Sequence, residues 1–101
     1  MPPLCDFCSA PNPSWKYPVR SFIGYEACGV AGESVGDWAA CEVCHRFISS
    51  GDRVGLTERS VVTFIELQPA LVAVRAEVTA ELTVLHERFF ENRTGRASPI
   101  N

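Results

Sequence analysis

Positive charge is scarce in this sequence. Nine lysines and arginines face twelve acids, which leaves a net charge of −3 over 101 residues and a pI near 5.3. Generic binders of the phosphate backbone carry a strong basic excess, so this balance argues against that class, though a local basic patch is still compatible with it. Long apolar runs are missing too. The most apolar part, residues 61–85, is broken by Glu66, Gln68, Pro69, Arg75, Glu77 and Glu81, which excludes a membrane span. The opening Met1-Pro2-Pro3-Leu4-Cys5 has no basic segment and no apolar run behind it, as a secretory signal would need. The expected compartment is therefore a reducing cytoplasm, where paired cysteines are more often metal ligands than disulfides. No Gly-Lys-Ser/Thr follows the glycine-rich residues 29–36, so a phosphate-binding loop is not expected there, only a turn or connector. No histidine stands four residues after His86, so the helix motif of zinc proteases is incomplete.

What is present fits one small globular domain: 47% hydrophobic and 21% charged residues are values of a folded chain. A chain this short buries a modest core and gains from a metal or a partner. Three stretches differ in character. Up to about residue 40, Pro2, Pro3, Pro11, Pro13 and Pro18 exclude a long helix. Residues 15–23 read as an irregular strand, with Trp15, Tyr17 and Val19 alternating with Lys16, Pro18 and Arg20, and Pro18 suits a sheet edge. Residues 41–67 read as two helical pieces separated by Ser49-Ser50-Gly51-Asp52, with Thr57 as N-cap of the second and Glu58 in its first turn. Pro69 opens a third helix, along which Leu71, Val74, Val78, Leu82, Leu85 and Phe89 recur every three or four residues, with Gly95 as the expected C-terminal cap.

Five cysteines are many for this length, and four of them form two Cys-x-x-Cys units, Cys5-Asp6-Phe7-Cys8 and Cys41-Glu42-Val43-Cys44. Each such turn brings two sulfurs close enough to grip one ion, and two turns supply four thiolates, the closed tetrahedral shell of structural zinc. The gap between the pairs leaves room for a hairpin, and the second pair opens a helical pattern, where the helix dipole favours thiolates. In the order C-D-F-C, hairpin, W-A-A-C-E-V-C-H-R-F-I, residues 4–50 resemble treble-clef zinc fingers. The wider pattern, including W-K-Y-P and G-D-R-V-G-L-T-E-R-S, looks like small zinc proteins of actinobacteria and their phages, a likeness that carries no function. The treble-clef resemblance implies a fold and a ligand set, Cys5, Cys8, Cys41 and Cys44 around one structural Zn2+. It implies no activity, because that fold hosts many.

Two other readings compete with zinc. Cys41-Glu42-Val43-Cys44-His45 is also the attachment pattern of a c-type haem, but haem needs export and leaves Cys5 and Cys8 without a role. A redox dithiol belongs in a strand–helix unit of a parallel sheet, and no such alternation appears. His45 is expected to pack beside the site, with ligand as the alternative, and Cys28 to be a small buried or half-buried thiol at a strand end, with a reactive or ligand-swapping role as the alternative. His86 is expected to be a partly exposed helix residue.

The expectation is an α+β chain: a treble-clef lobe over residues 1–50 (knuckle, β-hairpin, helix), a helical region over 51–95 that packs on the lobe or on a partner, and a flexible tail, 96–101. No nucleophile or second metal setting is visible, so no enzyme is expected. Leu71, Val78, Leu82, Leu85 and Phe89 are the candidate helix interaction face, which suggests a protein–protein adaptor, as a homodimer or with another protein. The alternative is a nucleic-acid-binding regulator using Trp15, Lys16, Tyr17, Arg20 and Arg46, with Arg53 and Arg59 nearby. Such aromatic–basic arrays can stack bases, but the acidic balance disfavours it.

Overall fold

Alternation shapes the first strand, β1 (Trp15–Tyr17): Tyr17 is buried, Lys16 points to solvent, and Trp15 is half-buried. The computed structural model describes residues 4–27, 30–34 and 36–100. Three further strands precede the helices: β2 (Phe22–Ala27), β3 (Val30–Ser34) and β4 (Trp38–Ala40). Strand β1 pairs antiparallel with β4, Trp15 opposite Ala40 and Tyr17 opposite Trp38, while β2 and β3 form a separate antiparallel ladder between them in the chain. Residues 30–34 are thus paired strand where a connector was expected. Ala31, Gly32 and Ser34 mask the period-2 signal, and backbone pairing with β2 is what makes the strand. Cys28 lies outside the described residues.

Helix α1 (Glu42–Ser50) starts at Cys41, whose extended backbone and Sγ cap the first turn by accepting from the Cys44 N–H. It stops at Gly51, left-handed at φ 76°, which donates back to the last carbonyls. A residue with a Cβ is strained in that conformation. Helix α2 (Arg53–Leu67) is capped five residues earlier than the expected Thr57, because the Asp52 side chain accepts from Gly55 N at 2.8 Å. Pro69 does open a new segment, a 3-10 helix over Pro69–Val74 that leads into α3 (Arg75–Asn92). Gly95 is not the cap of α3. The helix ends on extended Arg93, and the chain then runs back along the strands. Arg20 N donates to Asn92 O, Thr94 N to Pro18 O and Ile100 N to Ser14 O, and β5 (Ser98–Pro99) pairs with the free edge of β1. The segment read as a loose tail therefore closes the sheet in the order β4–β1–β5, with Pro99 on an edge, where a missing N–H is tolerated.

The core sits where sheet, knuckle and helices meet. Phe89 of α3 is fully buried, with ring centroids 5.0 Å from Phe7, 5.5 Å from Tyr17, 5.0 Å from Trp38 and 5.1 Å from Phe90. Phe7 lies between the first two cysteines, so α3 and the cysteine knuckle share one core. No described helix is long and apolar enough to cross a membrane.

Candidate metal centre

Two local structures deliver the four sulfurs. In the first, Cys5 N donates to Ala10 O at 2.8 Å and Ser9 N to Cys5 O at 2.9 Å, with Ser9 left-handed at φ 65°, so Cys5 and Cys8 sit at the two ends of one tight turn. In the second, the cap at Cys41 and the first turn of α1 hold Cys41 and Cys44. Asp6 brings the two together: its N–H donates to Ala39 O at 2.8 Å, and its Oδ2 accepts from Ala39 N at 2.6 Å, which fixes the knuckle to the strand that leads into Cys41.

The Sγ atoms of Cys5, Cys8, Cys41 and Cys44 all lie within 4.8 Å of one another, and all four residues are buried and free of disulfides. The Cys8 and Cys41 sulfurs are 3.6 Å apart. Four thiolates about 2.3 Å from a tetrahedral ion stand roughly 3.8 Å apart along each edge, so the cluster has the size of a four-sulfur metal cage. A disulfide would need sulfurs about 2.0 Å apart. The electrostatics lead to the same donor set. A hydrogen bond with the Cys44 side chain, opposed by burial and assisted by the Cys41, Cys8 and Phe7 backbones, pulls the Cys5 thiol down to about 4. The same contact with Cys5, reinforced by burial, pushes Cys44 far up, and burial also raises Cys8. Without a cation, a first thiolate therefore opposes the next, and a bound dication removes that opposition.

His45 is not part of the cage. Its Nδ1 lies 2.6 Å from the Tyr17 hydroxyl and its Nε2 3.4 Å from Ser49 Oγ, and its ring stacks on Trp15 with centroids 4.0 Å apart. With the tyrosyl O–H donating, the imidazole proton sits on Nε2, and burial lowers the pKa of the ring. His45 thus ties α1 to β1 next to Cys44.

The other sequence candidates divide by location. Tyr17 is buried, and Trp15 donates through Nε1 to Glu42 Oε2 at 2.8 Å while its face is taken by His45. Lys16 pairs with Asp37 at 3.9 Å, Arg20 donates to Glu91 O at 3.4 Å, and Arg46 pairs with Glu42 at 3.6 Å. On the helix face, Phe89 and Val78 are buried within the chain and Leu85 packs against the core, so the stripe is mostly intramolecular. Leu71 and Leu82 remain half-buried. Arg59, read as part of a surface basic cluster, instead turns inward, with Nη2 3.9 Å from Cys41 Sγ. The signal was available: Arg59 falls between Leu56, Ser60 and Thr63 on the inner face of α2, at helical spacing.

His86 is also placed differently from the expectation. It is 3% exposed, its Nδ1 is 3.1 Å from Thr57 Oγ1, and it lines a cavity between α2 and α3 rimmed by Arg53, Arg75, Glu58 and Glu87. Burial depresses it to about 4, against about 6.5 in an unfolded chain. The unfolded state thus binds the proton first, so His86 contributes stability in full above about pH 6.5 and loses it as pH falls toward 4. With the metal kept saturating, urea midpoints should show the wild type losing about 2 kcal/mol more than His86→Gln between pH 7.5 and 5. Parallel slopes for the two proteins would mean that this imidazole is not held neutral.

No protein-family model, curated protein or solved structure matches the chain in comparisons with each.

Proposed function

We propose that this chain is a non-enzymatic, zinc-stabilised protein–protein interaction module of treble-clef type. The choice of zinc rests on four buried thiolate donors in a closed shell with no open position, the ligand set of structural rather than catalytic sites. Support for the treble clef is the order of parts: a knuckle bearing Cys5 and Cys8, the β1–β4 pair, then Cys41 and Cys44 at the start of α1.

The interaction reading is carried by one observation, an apolar ridge that the fold leaves uncovered. At the end of α2 and through the 3-10 helix, Phe64 is 40% exposed, Leu67 67%, Val72 61% and Val74 41%, and no residue of Pro69–Val74 is buried. Exposed apolar patches, when large and contiguous, mark contact surfaces on folded proteins. It replaces Phe89 as the face to mutate. Leu67→Glu combined with Val72→Glu should abolish self-association or partner capture, with mass read by light scattering and captured protein by pull-down. The thermal midpoint should hold, because both side chains face water. A wild type that runs as a monomer and retains no protein, or a double variant that binds as the wild type does, would overturn this reading. The nucleic-acid alternative has no observation in its favour among the described residues: Tyr17 is inaccessible, and one face of Trp15 is taken by His45.

A further inference from the structure

Arg59 is an arginine in an unusual position. It is half-buried on the inner face of α2, and its Nη2 donates toward Cys41 Sγ at 3.9 Å. Its Nε is fully enclosed and has no hydrogen-bond partner. Among the described residues no carboxylate pairs with it, whereas Lys16 and Arg46 each have one. It also lines a cleft with Cys8, Ser9 and Ala10, so it faces both halves of the cysteine cage. A guanidinium taken out of water without an anion is costly, and an enclosed N–H without an acceptor adds to that cost. Glu66 shares that cleft but forms no ion pair with Arg59 among the described residues, whereas the Cys41 sulfur is already within donor range of Nη2, so the sulfurs are the groups placed to offset both.

They can do so in one charge state. Four thiols are neutral, and so are two disulfides. A dication held by four thiolates carries two net negative charges, and each thiolate sulfur is a strong acceptor. We propose that Arg59 is the counter-cation of the metal–thiolate centre, a positioning residue that donates N–H···S bonds to the cage, offsets part of its negative charge and so links α2 to metal occupancy. This rests on the metal reading above, and goes beyond it by naming a fifth residue, outside both Cys-x-x-Cys units, that sets how tightly the ion is held. Partners that orient and polarise metal ligands typically change affinity by about 10- to 100-fold when removed.

The test uses the full chain with zinc and, as a spectroscopic probe, with Co2+. In competition against a chromophoric chelator, Arg59→Met should bind zinc about 10- to 100-fold more weakly. Arg59→Lys, which keeps the charge but not the fork, should lose less. Arg46→Met, an exposed arginine on α1, should change little. A cation beside sulfur makes it harder to draw an electron from that sulfur. The thiolate-to-cobalt charge-transfer band should therefore move to longer wavelength in Arg59→Met and stay in place in Arg46→Met. Loss of packing alone would not produce that shift. If Arg59→Met fails to fold, Arg59→Gln, which removes the charge but keeps an N–H donor, takes its place in both measurements, with the same band shift and weaker binding expected. Wild-type affinity and an unmoved band in the charge-removing Arg59 variant would refute the counter-cation role while leaving the metal site standing. A wild type that takes up neither zinc nor cobalt would sink the metal reading itself, and this inference with it.

Discussion

Chelating the metal should unfold the sheet and α1 at temperatures where the loaded protein is stable. Structural zinc contributes on the order of 10–16 kcal/mol of apparent binding free energy at pH 7, whereas whole domains are stable by only about 5–15 kcal/mol. The strands here are short, three residues each in β1 and β4 and two in β5, and strands of that length hold only when something else orders their ends. The ordering element is the cage: Cys41 is at once the end of the strand segment, the N-cap of α1 and a sulfur donor. Metal removal, or Cys44→Ser at a fully buried ligand, should cost at least about 5 kcal/mol, which for a domain of this size lowers the thermal midpoint by roughly 20 °C or more. The measurement is thermal unfolding with and without excess chelator, alongside zinc content per chain. Protein that holds clearly less than one zinc per chain, or whose midpoint ignores the chelator, would falsify the structural-metal reading. The α2–α3 pair should keep more helical signal than the rest, because Val61, Val78 and His86 are buried in helices that do not carry the cysteines.

The cysteine set was legible in advance because its signal is local: Cys-x-x-Cys is itself a turn geometry, and two of them limit the ways four sulfurs can meet. The long apolar stripe of α3 was legible for the same kind of reason, since helical period and burial coincide at Val78 and Phe89. What escaped depends on partners distant in sequence. Nothing in Ser98-Pro99 announces a strand. It becomes one because β1 has a free edge and the end of α3 delivers the chain there. His86 flanks the stripe, and its burial is settled by Thr57 on another helix. Propensity points to Thr57 as a cap, but Asp52 takes the cap and leaves the Thr57 hydroxyl free for the imidazole. Arg59 shows the limit from the other side. Composition counts it as surface charge, while its position between Leu56 and Thr63 points it inward.

Phe89→Ala should be the most damaging substitution outside the cage. The side chain is fully buried, and truncating a buried phenylalanine costs about 3–5 kcal/mol through lost transfer energy and the cavity left behind. Its edge-to-face contacts with Phe7 and Tyr17 add a geometry-dependent share that no aliphatic replacement restores. The thermal midpoint of the zinc-loaded variant should fall by more than about 10 °C, while Phe89→Leu should retain much of the volume and lose less. A residue on a docking face behaves in the opposite way: its truncation leaves the midpoint alone and changes the mass or the bound partner. The core assignment makes one further demand. Phe7 sits between Cys5 and Cys8 and presents its ring to Phe89 at 5.0 Å, so damage at position 89 should reach the metal. Zinc affinity should drop in Phe89→Ala, and a double-mutant cycle with Phe7→Ala should show coupling of at least about 0.5 kcal/mol. If the two substitutions add without coupling and zinc affinity is untouched, then helix α3 and the cage are separate cooperative units, and the shared aromatic core does not join them energetically.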